Sequence, residues 1–318
     1  MALEPVDRVR LTSLAGDFAT CTERSRGPVR RRGNMFETRR RTAPLGAHGL
    51  SVLVEVTRGR ETTTALFDCG LRDDVLRDNV RYLGAPLDKT QAIFLSHGHP
   101  DHYGGLSAAL SLVGRRDGRK IPIVLHEAAF RERCWTWKDL RGGRYRLPRA
   151  VVRSPRASLA IQSGPAVFLS GMAMFLTDIP RRTRYELRRP GGQVLYRDGR
   201  RWRNDTTPDD GALVMHVRGR GLVILTGCGH AGLINTVREA VAQTGVSSVL
   251  ALVGGFHLCH APTRRIAATI RDLKAFAPRW VIPSHCSGLE FEAALRNAFP
   301  RGFALDSVGT EYTWDARS

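Results

Sequence analysis

Residues 97 to 102 read HGHPDH, three histidines and an aspartate in six positions, directly behind the apolar run AIFLS. Imidazole nitrogens and a carboxylate oxygen are ordinary donors to zinc, and they also suit iron and manganese. His97 and His99 lie two apart, so both project to one side if strand geometry continues. Pro100 bends the chain before Asp101 and His102. Four donors divided in this way can face two adjacent ions, which would hold a water and clamp a substrate oxygen. A chance surface run of histidines is the competing account, and a weak one for so dense a cluster.

The elements that must position these residues follow from hydrophobic periodicity. LSVLVEV (50–56) and TTTALFD (62–68) read as paired strands joined at RGRE, 74–84 as a helix, QAIFLS (91–96) as a short buried strand, and IPIVLH (121–126) as another. A short helix is expected from Leu106 to Val113. Between about 130 and 205 the pattern gives way to Arg-, Gly- and Pro-rich sequence around AVFLSGMAMFL, which reads as an insertion or a substrate-facing loop region. Regularity returns with strands at 212–217, 221–227, 248–254 and 279–284 and helices near 232–243, 263–276 and 289–299. The spacing predicts a single α/β domain over 1–318, made of two similar halves.

Composition bounds the class of protein. With 318 residues, 42% hydrophobic and 25% charged, the chain is an ordinary globular one. It has no apolar leader and no run long enough to span a bilayer, so the expectation is a cytoplasmic protein without a membrane partner. Nothing points to a disulfide framework for the six cysteines. The formal charge of +19 favours anionic partners, either a phosphorylated small molecule or nucleic acid. The runs Arg30 to Arg32 and Arg39 to Arg41 are expected on a solvated face. Oligomeric state is not legible.

HGHPDH matches in full the His-x-His-x-Asp-His signature of the metallo-β-lactamase superfamily, and FDCG (67–70) resembles its upstream Asp-x-Gly element. HGLSVLVEV, LFDCG, LSHGHPDHYGGL, LTGCGHAGLINTV, GGFHL and PSHCSG, in that order, resemble the branch of dihydropterin-ribofuranosyl-aminobenzene phosphate synthases. The resemblance implies a four-layered αβ/βα sandwich with metals at one edge of two sheets. It places Cys228 where the superfamily usually has a bridging Asp, and matches His285 to the final histidine ligand. His230, in a glycine-flanked turn two residues beyond Cys228, can reach the same edge. His257 also ends a strand, so it is a candidate for catalysis or for supporting the ligands.

The expected metal ligands are therefore His97, His99, Asp101, His102, Cys228, His230 and His285. His97, His99 and His230 would serve one ion, and Asp101, His102 and His285 the second. Two zinc ions are the favoured cofactor. Asp101 and His257 are the catalytic candidates, and Arg181, Arg182 and Tyr185 in IPRRTRYE are candidates for binding an anionic substrate by bidentate contacts. The superfamily's middle histidine has no counterpart in TTPDDGA, where Asp209 or Asp210 could substitute or simply form a turn. His126 and His216 read as partly buried strand histidines, His48 as a turn residue next to Gly49 or a residue near the active-site mouth, and Cys259, His260 and Cys286 as structural or incidental.

These observations describe a metallo-hydrolase-like enzyme with a dinuclear site, acting on an anionic, phosphorylated small molecule through activated water or a polarised substrate oxygen. Synthase or lyase chemistry fits the same site. A phosphodiesterase or nuclease, or a binding protein that has lost turnover, are the alternatives.

Overall fold

A computed structural model describes residues 2–39, 42–113, 120–137, 140–187 and 193–316. Among these, an eight-stranded sheet runs in the order Ala157–Ile161, Ile121–Leu125, Ala92–Phe94, Glu61–Phe67, Ser51–Arg58, Arg8–Ala15, Thr310–Asp315, Val29–Arg31. A second sheet runs Ala166–Phe168, Ala173–Leu176, Ala212–Val217, Gly221–Thr226, Val249–Gly255, Trp280–Ser284, with Pro5–Val6 pairing parallel to Ala212–Val217.

Alternation along the strands builds the layers. Phe67, Phe94 and Val124 turn inward against Phe175, Leu213 and Leu225 of the facing sheet. Their neighbours Leu66, Ile93 and Ile123 turn outward, onto Leu76, Val80, Leu106 and Leu110 of helices Asp73–Leu83 and Leu106–Leu112. On the other side Ile224, Leu252 and Val281 meet Ile234, Val237, Leu273, Phe291 and Leu295 from helices Leu233–Thr244, Thr263–Phe276 and Leu289–Ala298. Helix, sheet, sheet and helix make the expected αβ/βα sandwich. Strands buried on both faces read as continuous apolar runs, which is why they were visible in the sequence.

Two expectations are corrected. The stretch at 130–205 is richly stranded: Ala157–Ile161 extends one main sheet, and the hairpin Ala166–Phe168 with Ala173–Leu176 extends the other. Strands Arg133–Trp137, Leu140–Tyr145, Gln193–Asp198 and Arg201–Asn204 form a separate small sheet. Their arginines and glycines hid this because edge strands need no apolar face on the solvent side. The run at Arg30 to Arg32 meets the solvated-face expectation only at the exposed Arg30. It forms the strand Val29–Arg31, and Arg31 is buried, donating to Thr310 Oγ1 at 2.7 Å and to the carbonyl of Leu305 at 2.8 Å. Arg40 and Arg41 lie outside the described residues.

Among the described residues no helix is long and apolar enough to cross a membrane, and the six cysteines are free thiols.

Candidate metal centre

Strands Glu61–Phe67, Ala92–Phe94 and Ile121–Leu125 run parallel in one sheet, and Gly221–Thr226, Val249–Gly255 and Trp280–Ser284 run parallel in the other. Their carboxyl ends meet at one edge of the sandwich, the place where open parallel sheets expose residues to ligands. The first set delivers Asp68 and then His97 to His102. The second delivers Cys228 and His230, His257, and His285. Three of these residues, Asp68 (φ 58°), His257 (φ 43°) and His285 (φ 51°), sit in the left-handed region. Non-glycine residues pay strain there, and it concentrates at functional sites.

The donors fall into two groups. His97 Nε2 is 2.9 Å from His99 Nδ1, and His230 Nε2 is 3.2 Å from each. Beside them Asp101, His102, Cys228 and His285 converge, with His102 Nε2 3.1 Å from Cys228 Sγ and His285 Nε2 3.1 Å from Asp101 Oδ2. A third group, Asp17, His48 and His285, shares His285. These sets are the two expected for separate ions, with Cys228 added to the second.

The fit to a metal can be tested on this geometry. Three ring nitrogens mutually about 3 Å apart cannot be reconciled by protons, because one proton bridges one pair; a single cation serves all three with N–metal distances of about 2.0–2.1 Å. Protonation is arranged accordingly. Burial, then the neighbouring His102 and His99, push His97 well below its ordinary value, leaving it neutral. Ser96 Oγ donates to Asp68 Oδ2 at 2.7 Å and so accepts from His97 Nδ1 at 2.8 Å, which leaves the Nε2 lone pair facing the cluster. His102 Nδ1 likewise lies 2.6 Å from Asp68 Oδ2, a carboxylate–histidine pairing that orients a ligand ring. Burial would raise the Asp101 carboxyl, but His102, His285 and His48 outweigh it and hold it well below its usual range. Burial pushes the Cys228 thiol well up, so a thiolate there requires a cation beside it. The residues present fit a metal.

Asp68 is a residue the sequence signalled, through FDCG, without showing its role. It is fully buried and holds Ser96 by both backbone and side chain, as well as His102. Gly227 permits this packing: a Cβ there would lie 2.2 Å from Ser96 Oγ. Asp17 went unassigned, and His48, read as a turn residue or one near the active-site mouth, stands at the centre. His48 bridges Asp17 at 3.2 Å and Asp101 at 3.3 Å, and tilts over His285 with ring centroids 4.6 Å apart. Hydrogen bonds to Asp101 and then Asp17 raise His48 to about 9, against the lowering effect of burial. Tyr145 of the small sheet meets His99 edge-on at 5.6 Å.

His257 lies against His230, ring centroids 4.2 Å apart. Asp209 and Asp210 are turn residues with structural partners. Asp209 accepts from the Gly98 amide at 2.8 Å and from Arg133 at 2.6 Å, and Asp210 accepts from the Ala231 amide at 2.7 Å. Cys286, expected to be incidental, packs beside the centre with its thiol donating to the Cys228 carbonyl at 3.3 Å. His126 caps Ala128 and pairs with Asp178 at 3.2 Å, half-buried His216 lies on its strand, and neither joins a donor group among the described residues.

Two residues of IPRRTRYE, expected to meet an anionic substrate, have partners within the chain. Arg181 donates to the carbonyls of His230 (2.5 Å) and Thr206, and the Tyr185 hydroxyl donates to Asp272 Oδ2 at 2.7 Å. Both hold elements together: Arg181 pins the loop that carries His230, and Tyr185 ties its segment to helix Thr263–Phe276. Glu186 completes the brace by accepting from the amides of Ile234 and Asn235, both at 3.0 Å, at the start of helix Leu233–Thr244. The Arg182 side chain is exposed, and its amide donates to Asn235.

Comparison with known proteins agrees with this architecture. The chain is 26% identical over 272 residues to the 7,8-dihydropterin-6-methyl-4-(β-D-ribofuranosyl)-aminobenzene-5'-phosphate synthase of Methanocaldococcus jannaschii, covering 80% of this chain and 86% of that one. An uncharacterised protein of the same organism is 27% identical over 266 residues, covering 82% and 91%. The crystal structure of a protein described as a metal-dependent hydrolase of the β-lactamase superfamily superposes with a TM-score of 0.72 at 22% identity, over 96% of this chain and 99% of that one. The family model of the metallo-β-lactamase superfamily matches residues 46–233, a span that contains HGHPDH, Cys228 and His230. The chain belongs to the metallo-β-lactamase superfamily.

Proposed function

We propose that this protein is a metal-dependent enzyme acting on an anionic, phosphorylated small molecule. The observation that supports it is the convergence of two donor groups at adjoining strand ends. His97, His99 and His230 would hold one ion, and Asp101, His102, Cys228 and His285 a second, with zinc favoured by the thiol and imidazole donors. Bound metal would supply Lewis acidity and lower the pKa of water. The chain's own contribution is orientation. Asp68 fixes two ligand rings, Arg181 fixes the loop bearing His230, and His257 stands at the rim where it can meet substrate. Asp101 and Asp17 share His48 and His285, giving a proton a path of hydrogen-bonded groups from the cluster to the exposed His48 ring.

Hydrolysis and synthesis are both compatible with these parts. The synthase relative, aligned over most of both chains, favours bond formation to a phosphorylated partner as the second reading. The deciding experiment is metal analysis of purified protein followed by turnover assays on phosphodiesters, phosphomonoesters and lactones, and on a dihydropterin with a phosphorylated ribosyl donor. Chelation should abolish activity and zinc, iron or manganese should restore it. Asp101→Ala or His102→Ala should abolish activity and deplete metal while leaving the fold intact. Less than one tightly bound metal per folded chain, or full activity of either variant, sinks the reading.

A further inference from the structure

A cavity of about 490 Å³ lies at the end of the sandwich away from the metal centre. Trp280, one of its walls, opens the strand Trp280–Ser284, and His285 follows the other end of that strand, so cavity and centre are on the order of 15 Å apart. Three arginines line it from both sheets. Arg30 belongs to the strand Val29–Arg31 of one sheet, whereas Arg220 and Arg279 lead into the strands Gly221–Thr226 and Trp280–Ser284 of the other. Arg30 and Arg279 are exposed, and neither side chain has a hydrogen bond or ion pair among the described residues. Half-buried Arg220 donates to the Asp315 carbonyl at 2.8 Å, and burial, then the neighbouring Arg279, lower its pKa, which marks cations crowded together. The two carboxylates in the lining are already shared with cations outside it: Asp315 faces Arg8 at 2.5 Å, and Glu311 faces Arg32 at 3.8 Å. A second, independent observation comes from Trp314, which also lines the cavity. It is 1% exposed, and its indole N–H has no acceptor among the described residues. Buried donors are ordinarily paired, so this one marks a place for an acceptor.

From this arrangement we propose that the cavity is a second binding site, for a tetrahedral dianion of the sulfate or phosphate type, taken up as the free ion or as a group on a larger molecule. The guanidinium forks of Arg220 and Arg279 take two of its oxygens, a third gives the Trp314 indole its acceptor, and Arg30 meets it from the facing sheet. More than one negative charge is needed because three cations surround the place, and the volume leaves room for the remainder of a small molecule. Since both sheets contribute, the ligand ties them together at the end opposite the metal centre. The site does not depend on the enzymatic reading above.

Sulfate is the first probe, because it carries two charges and is a poor ligand for zinc. Titrating sodium sulfate into the full-length protein against sodium chloride at equal ionic strength should change tryptophan fluorescence saturably, since Trp280 and Trp314 line the cavity, and should raise the melting temperature by several degrees. The double variant Arg30→Glu with Arg279→Glu, changed at two exposed positions, should bind sulfate at least about tenfold more weakly. The general salting effect of sulfate is common to both proteins and cancels in the comparison. Trp314→Phe, with folding checked by thermal melting, should weaken binding about tenfold, the worth of one hydrogen bond to a charged acceptor. Inorganic phosphate and phenyl phosphate then identify the source: tighter binding of the ester assigns the site to a phosphorylated molecule, tighter binding of the inorganic ion assigns it to the free anion, and both retain the site. A fluorescence response that rises without saturation, or equal affinity in the native protein and the double variant, overturns the proposal, because the anion would then sit elsewhere, the metal centre included. Equal affinity in folded Trp314→Phe overturns the part given to the indole.

Discussion

Asp68 carries more of the site than any ligand does, because one buried carboxylate sets the tautomer of His102 directly and of His97 through Ser96. Asp68→Asn keeps the volume but puts an amide where two donors point. Metal retention should fall about 10–100-fold with little change in circular dichroism, measured by metal content after graded chelation. Cys228 is the second critical position. If its sulfur binds metal, Cys228→Ser should strip metal and activity, and Cys228→Asp, which restores a carboxylate, should retain more of both. If the sulfur only fills space, Ser is harmless and Asp is the damaging change, since a charge would be buried without a partner. At this scale the spacing of HGHPDH was legible, because six consecutive residues specify their own geometry. Asp17, Asp68 and Tyr145 were not, because their roles depend on a left-handed turn or on contacts with residues far away in the chain.

The small sheet is joined to the centre by a buried ion network. Arg133, fully buried, donates at 2.6 Å to both Asp205 and Asp209, and Asp209 in turn holds the Gly98 amide between two histidines of the candidate centre. Gly98 cannot carry a side chain, since a Cβ would lie 2.1 Å from the Ala129 carbonyl. The turn is thus clamped on both sides. Arg133→Met leaves the buried Asp209 without its cation and Asp205 with Arg131 alone, which should cost about 3–5 kcal/mol and lower the melting temperature. The double variant Arg133→Met with Asp209→Asn should recover part of that loss, and no recovery would mean that the arginine matters only for its packing. Such a network was invisible in the sequence. Asp209 stands in a turn-like PDDG, and its partner lies 76 positions earlier in a stretch whose composition disguised its strands. The core strands and helices placed between residues 50 and 126 and between 212 and 299 were legible to within a residue or two because burial on both faces imposes an unbroken apolar pattern, whereas the core strands Arg8–Ala15 and Thr310–Asp315 were not read.

Across the whole molecule, one sheet supplies His97 to His102 and the other supplies Cys228, His230 and His285, so a bound ion would tie the two halves together. Ligand binding to the folded state alone stabilises it by about 2.7 kcal/mol at a hundredfold excess over Kd. Chelation should therefore lower the melting temperature by several degrees, and zinc should restore it. An unchanged melting curve would mean that the halves are held by their core alone. The sandwich was anticipated from the family resemblance that HGHPDH and its companion motifs carry, and the two halves from echoing runs of elements, whereas the crossing of Pro5–Val6 into the far sheet was not, because two residues carry no periodicity. The strand Thr310–Asp315 lies between Arg8–Ala15 and Val29–Arg31, with register Glu311 to Thr12 and Glu311 to Arg30. This pairing makes time part of the design. On a ribosome adding about 5–20 residues per second, strand Arg8–Ala15 emerges early and waits on the order of tens of seconds for its neighbour. During that wait an open strand edge, Val9 and Leu11 included, is available to the wrong partners, and a nascent chain halted before residue 310 should be held by chaperones.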